Sequence, residues 1–153
     1  MRFSVVIPCY NGEKHIHISV ESVLAQRFGD FEIIVVNDGS IDGTSAAVRA
    51  LAAKDEKGRV RLVERENGGV SAARNTGIKE SRGDFVCFLD SDDQWLPEHL
   101  AALSEAIERH PGEVFFSTLS QTRLVNGQIN RLDKGMPEDI FVIEDYFDYE
   151  ISA

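Results

Sequence analysis

Three carboxylates crowd into four residues where Asp90-Ser91-Asp92-Asp93 follows the apolar run Phe85-Val86-Cys87-Phe88-Leu89. Like charges about 5 Å apart repel by about 3 kcal/mol per pair at an effective dielectric of about 20. Such a cluster at a strand's carboxyl end calls for a positive charge between its members. A hard divalent cation answers best, because it prefers oxygen ligands and often holds phosphates at the same time. A helix cap ahead of Pro97 would use one carboxylate and leave two unexplained.

Three other segments carry chemistry that suits a phosphorylated ligand: Pro8-Cys9-Tyr10-Asn11, Asn37-Asp38-Gly39-Ser40 and residues 66–74. Tyr10 can stack on a base, Asp38 can accept from base or ribose, and Arg74 can meet phosphate. Asp90 with Asp92 can place a metal. Each has a plain structural alternative: Tyr10 as a lid on the core, Asp38 as a turn residue before Gly39, Arg74 as a solvated helix charge. None of the segments is a Gly-x-Gly-x-x-Gly fingerprint or a Walker loop, so dinucleotide oxidoreductases and P-loop enzymes lose their main support. His15, His17, His99 and His110 show no zinc spacing with Cys9 or Cys87, and both thiols are expected buried and reduced.

The elements that must position these residues follow from periodicity. Apolar runs at 3–7, 31–36, 60–63 and 85–89 alternate with helical spacing. Ile16, Val20, Val23 and Leu24 mark one helix, residues 44–54 a second and 71–80 a third. A fourth is expected to open on Pro97 as a first-turn proline, lined by Leu100, Leu103 and Ile107. This alternation predicts a parallel α/β sheet covered on both faces. Ligands bind outside the carboxyl ends of such strands, where the four segments would meet. Beyond Gly112, runs at 114–125 and 128–132 flank Asn126-Gly127, a hairpin signal. The tail 136–153 is acidic and aromatic without periodicity.

A chain of 153 residues suits one domain with a real core. A net charge of −10 argues against a general nucleic-acid or anionic-membrane binder. No run approaches the ~18 apolar residues of a membrane span. The apolar amino-terminal stretch is short and broken by Pro8, which is no signal peptide. A cytoplasmic address is expected.

Four stretches resemble, in order and separation, the amino-terminal part of a family 2 glycosyltransferase, the inverting group with the GT-A fold. They are Ser4-Val5-Val6-Ile7-Pro8-Cys9-Tyr10-Asn11, Ile34-Val35-Val36-Asn37-Asp38-Gly39-Ser40 with Asp42-Gly43-Thr44, Gly68-Gly69-Val70-Ser71-Ala72-Ala73-Arg74-Asn75-Thr76-Gly77, and Phe88-Leu89-Asp90-Ser91-Asp92-Asp93. The resemblance covers residues 3–110. It implies a Rossmann-like, mostly parallel sheet with a carboxyl-terminal β-hairpin: 1–112 would bind the nucleotide-sugar, and 113–153 would begin the acceptor side. The implied reaction moves a sugar from a nucleotide-diphosphate sugar, a UDP-sugar foremost, to a saccharide or lipid-linked acceptor hydroxyl with inversion. Bacterial cell-surface polysaccharide synthesis, at the inner face of the membrane, is the implied setting.

Carried over by position, Pro8, Tyr10 and Glu13 lie where the family holds the nucleoside, with Asn11 and Ser91 in the same donor-binding set. Asp38 matches the aspartate that contacts the base, and Gly69 and Arg74 match the donor-facing loop and helix. Asp90-Ser91-Asp92 matches the Asp-x-Asp motif, whose last acid binds the Mn²⁺ or Mg²⁺ bridging the diphosphate. Asp90 and Asp93 would share that work. The family normally continues further, and its general base is expected beyond residue 153, so a truncated donor half is the expectation. Glu144-Asp145 is the one acidic pair downstream that tempts as a base. Two alternatives stand beside this: a non-catalytic nucleotide-sugar-binding module, and a haloacid-dehalogenase-type phosphatase. The phosphatase motif usually follows the first strand and carries Thr or Val where Gln94 stands here.

Overall fold

The computed structural model describes residues 1–113, 115–116, 121–123 and 129–131. Strands β1 (Phe3–Cys9), β2 (Phe31–Asp38), β3 (Val60–Arg65) and β4 (Phe85–Phe88) alternate with helices α1 (Ile16–Leu24), α2 (Thr44–Lys54), α3 (Val70–Glu80) and α4 (His99–Arg109). They form one parallel sheet in the order β3-β2-β1-β4. Every residue of β1 and β2 is buried, as strands covered on both faces must be.

The chain steps outward from β1 to β2 to β3, then returns to place β4 on the far side of β1. Right-handed crossovers therefore set α1 and α2 on one face and α3 on the other. The contacts agree: α1 touches α2, while α3 packs on β1 and β2. Val6, Ile34, Val36 and Ala73 form the core beneath α3, with Val63 and Val86 at its margin. At the amino end of that face, buried Glu32 accepts from the Ser4 hydroxyl and the Arg82 N–H, both at 2.8 Å, and pairs with Arg61. Burial pushes the Glu32 carboxyl up, but these donors outweigh it and hold the group below its ordinary range.

Two expectations need correction at the edges. The strands β1, β2 and β3 each run two residues past their apolar cores, so Pro8, Cys9, Asn37 and Asp38 belong to the sheet rather than to the loops, and β4 stops at Phe88, one residue short of its apolar run. Pro97 does not open α4. The helix begins at His99, and Leu96 carbonyl accepts from the His99 N–H in a tight turn that contains the proline.

The chain divides into two compact units, Met1–Glu105 and Ala106–Ala153. In the second, β5 (Gln121–Arg123) and β6 (Ile129–Arg131) pair antiparallel, with Thr122 opposite Asn130. The Asn126-Gly127 turn expected between them lies outside the described residues.

Helix α3 approaches β1 so closely that a Cβ on Gly77 would sit 2.2 Å from Val6 Cγ1. In an exposed helix Gly→Ala stabilises by up to about 1 kcal/mol. Here Gly77→Ala should instead destabilise, by about 1–3 kcal/mol for an overpacked core, measured by urea unfolding.

Candidate functional site

Because all four strands are parallel, the segments following them emerge on one edge of the sheet. The strand order reverses direction between β1 and β4, which makes that position the topological switch point where ligands bind in such sheets. A cavity of about 330 Å³ opens on this edge, lined by Pro8, Cys9, Tyr10, Asp38, Asn67, Gly69, Val70 and Ala73. That is the size of a small-ligand pocket.

Tyr10 follows β1 directly and stands 53% exposed on the cavity wall, so it does not lid the core. Asn11 beside it takes a left-handed backbone, φ 52°, and laces the first loop to the second. Its N–H donates to Ser40 Oγ at 2.8 Å, and its Oδ1 accepts from the Ile41 N–H at 3.0 Å. Gly12 N–H donates to Thr44 Oγ1 at 2.9 Å, and Glu13 accepts from the Gly43 N–H at 3.1 Å. Asn11 and Glu13, expected among the nucleotide ligands, are thus engaged with the β2–α2 loop and do not line the cavity.

Asp38 is buried at the end of β2, but it does not brace its own turn. That work falls to Asn37, whose Oδ1 accepts from the Ser40 N–H. The Asp38 carboxylate instead reaches across to the next loop, accepting from the N–H groups of Gly68 and Gly69 and pairing with Arg65. Gly69 can present its N–H this way because it sits at φ 85°, ψ 166°, a region essentially closed to residues with a Cβ. The sheet end, the β3–α3 loop and the start of α3 are therefore fixed around one carboxylate. Arg65 and Asn67 were missed from sequence, since an arginine closing a strand and an asparagine before glycine both read as ordinary surface and turn residues.

On the β4 side, Arg74 from α3 is not simply solvated. Its Nη2 donates to Asp90 Oδ1 at 2.7 Å, its guanidinium lies 5.8 Å from the Phe88 ring centre, and its Nε is buried without a partner among the described residues. Asp92 and Asp93 are exposed, and Asp93 N–H donates to the Asp90 carbonyl in a tight turn. Although the residue is largely exposed, partial desolvation of its carboxyl, followed by the charges of Asp92 and Asp90, pushes Asp93 up. Among the described residues no three His, Cys, Asp or Glu groups converge into a ready cation cage. The expected trio Asp90, Asp92 and Asp93 is accordingly not assembled; Asp90 is drawn to Arg74 instead. The oxygen-only donor set and the mutual repulsion at Asp93 nonetheless suit a hard cation, which typically takes one or two carboxylates and completes its shell with phosphates and water. The thiol of Cys9, on the cavity wall, is pushed up by burial.

The sequence pattern of the family described as Glycosyl transferase family 2 matches residues 4–150. The chain is 39% identical over 107 residues to the uncharacterized glycosyltransferase EpsJ of Bacillus subtilis, covering 70% of this chain and 30% of EpsJ. Among solved structures it resembles Staphylococcus aureus TarS 1–349 in complex with UDP-GlcNAc, with TM-score 0.65 and 30% identity over 83% of this chain and 42% of that one. It also resembles the mannosyltransferase PcManGT of Pyrobaculum calidifontis in complex with GDP-Man and Mn²⁺, with TM-score 0.63 and 30% identity over 70% of this chain and 31% of that one. The chain spans less than half the length of each of these proteins.

His99 stacks on Trp95 just past the acidic loop, ring centres 4.1 Å apart, and burial pushes its pKa down from 6.5 to about 4. Between those values the unfolded chain binds the extra proton, so stability falls as pH drops from about 6.5 to about 4. His99→Gln should flatten that slope in thermal melts across the window.

Proposed function

The chain belongs to glycosyl transferase family 2 and has the GT-A fold, and from that premise we propose that it forms the donor-binding half of an inverting transferase. The carrying observation is the cavity of Pro8, Tyr10, Asp38 and Gly69 at the carboxyl ends of β1 and β2, on the same sheet edge as the acidic loop. Its donor is a nucleoside diphosphate sugar, a UDP-sugar first. The TarS and PcManGT structures hold UDP-GlcNAc and GDP-Man with Mn²⁺, respectively. The phosphatase alternative falls with family membership.

In this reading the Tyr10 ring stacks on the base, and Asp38, held rigid by three partners, accepts from base or ribose. Asp90, Asp92 and Asp93 would hold Mn²⁺ or Mg²⁺. Bound there, the cation supplies Lewis-acid neutralisation of the departing diphosphate. Arg74 leaves Asp90 for a phosphate oxygen. The pair is half-exposed and therefore worth at most about 1 kcal/mol, so a ligand of higher charge displaces it readily.

The base that deprotonates the acceptor hydroxyl comes from outside the described residues, where Glu144 and Asp145 also lie. The acceptor is a saccharide or lipid-linked saccharide of a bacterial surface polymer, reached at the cytoplasmic face of the membrane. Among the described residues no helix is long and apolar enough to cross it.

Calorimetry with UDP, GDP and dTDP, each with and without Mn²⁺, tests the site. At least one nucleotide should bind, and more tightly with Mn²⁺. Asp92→Asn should weaken only the Mn²⁺-dependent part, by about tenfold or more. Tyr10→Ala should weaken both conditions by about 1–3 kcal/mol, the worth of a base–aromatic stack. Binding of none of the three would overturn the donor-site assignment.

A further inference from the structure

Helix α1 carries a polar stripe that touches none of the cavity. Ser19, Ser22 and Gln26 fall at i, i+3 and i+7, in line along one side of the helix and its carboxyl-terminal turn, beside the apolar Ile16, Val20 and Val23. All three grip the segment between β4 and α4. Ser19 Oγ donates to the Ser91 carbonyl at 2.7 Å, and Trp95 N–H donates to Ser22 Oγ at 3.1 Å. Gln26 works at both ends of its amide: Nε2 donates to the Leu96 carbonyl at 2.7 Å, and Oε1 accepts from the Leu100 N–H at 2.9 Å. Ser19 is wholly buried and Gln26 nearly so.

Polar side chains taken this far out of water destabilise unless their hydrogen bonds are made, and here they are made to the backbone of one particular loop. Ser91 stands between Asp90 and Asp92, so fixing its carbonyl constrains both flanking carboxylates. We propose that Ser19, Ser22 and Gln26 are positioning residues that pre-order the acidic loop for a divalent cation, so that the loop need not be ordered when metal and diphosphate arrive. Groups that orient metal ligands without touching the metal commonly change its affinity 10–100-fold. The inference rests on the donor-site assignment above and adds to it residues lying behind the site.

The test compares UDP, GDP and dTDP binding to the whole chain, in Mn²⁺ and in EDTA, for the wild type and Ser19→Ala. The expected result is affinity about tenfold weaker in Mn²⁺ and unchanged in EDTA, with Ser19→Thr, which keeps the hydroxyl, recovering most of the loss. Unchanged affinity in Mn²⁺ overturns the inference. An equal loss in both conditions also overturns it, because general damage to the fold would weaken both. Should Ser19→Ala fail to fold, Ser22→Ala, at a half-buried helix position that tolerates alanine, decides by the same comparison. A wild type with no Mn²⁺-dependent binding of any nucleotide removes the donor site itself, and this inference with it.

Discussion

Everything at the site depends on β1 having a parallel partner on each side, β2 along its whole length and β4 along its first half. Parallel pairing brings three strand ends to one edge, and the return of the chain to β4 leaves a crevice that neighbouring crossovers do not fill. The register matters as much as the direction. Val6 lies opposite both Ile34 and Phe88, and its side chain meets Gly77 of α3. A slip of one residue would turn Val6 away from α3 and carry Tyr10 to the wrong side of the edge. Burial of every β1 and β2 side chain opposes that slip, so the same apolar sequence that builds the core also aims the site.

Charge at the edge is arranged in closed accounts. Arg65 is committed to Asp38, and Arg74 to Asp90. The chain as a whole carries −10, and an incoming diphosphate would reach Arg65 or Arg74 only by displacing a carboxylate. The two pairs differ in kind. Asp38 is buried and held by two backbone N–H groups as well as Arg65, which makes it a fixed part of the scaffold. Asp90 and Arg74 are both substantially exposed and bound through a single contact, which makes that pair exchangeable. Under the proposed function, the first would serve the base as a rigid wall and the second the phosphates as an exchangeable rim.

The sheet, its helices and the clustering of four loops were legible because periodicity reports burial directly. Pro8, Tyr10, Asp38 and Gly69 meet around the cavity as their positions suggested. What stayed hidden depended on partners distant in sequence. Nothing local distinguishes Asp38 binding the β3–α3 loop from Asp38 bracing its own turn, and the structure gives the second task to Asn37. Asn11 and Glu13 were equally ambiguous, since a loop that presents polar atoms to a ligand can present them to another loop. The stripe Ser19, Ser22 and Gln26 did leave a signal, three uncharged polar residues in line beside an apolar face. Its meaning required knowing that the acidic loop runs past that helix. Pro97 misled for a simpler reason: a proline suited to a first helical turn suits a preceding turn just as well.

The thiol of Cys9 puts a soft donor beside the proposed nucleotide site. It sits on the cavity wall, and burial keeps its proton on at neutral pH. Cys87 in β4, pushed up to about 12, is still further from ionising. Soft and borderline ions such as zinc or copper(I) bind sulfur as the thiolate and must expel the proton to do so. Under the proposed function, a thiophilic ion would have to displace that proton before competing at Cys9, whereas manganese or magnesium would find its oxygen ligands in the acidic loop.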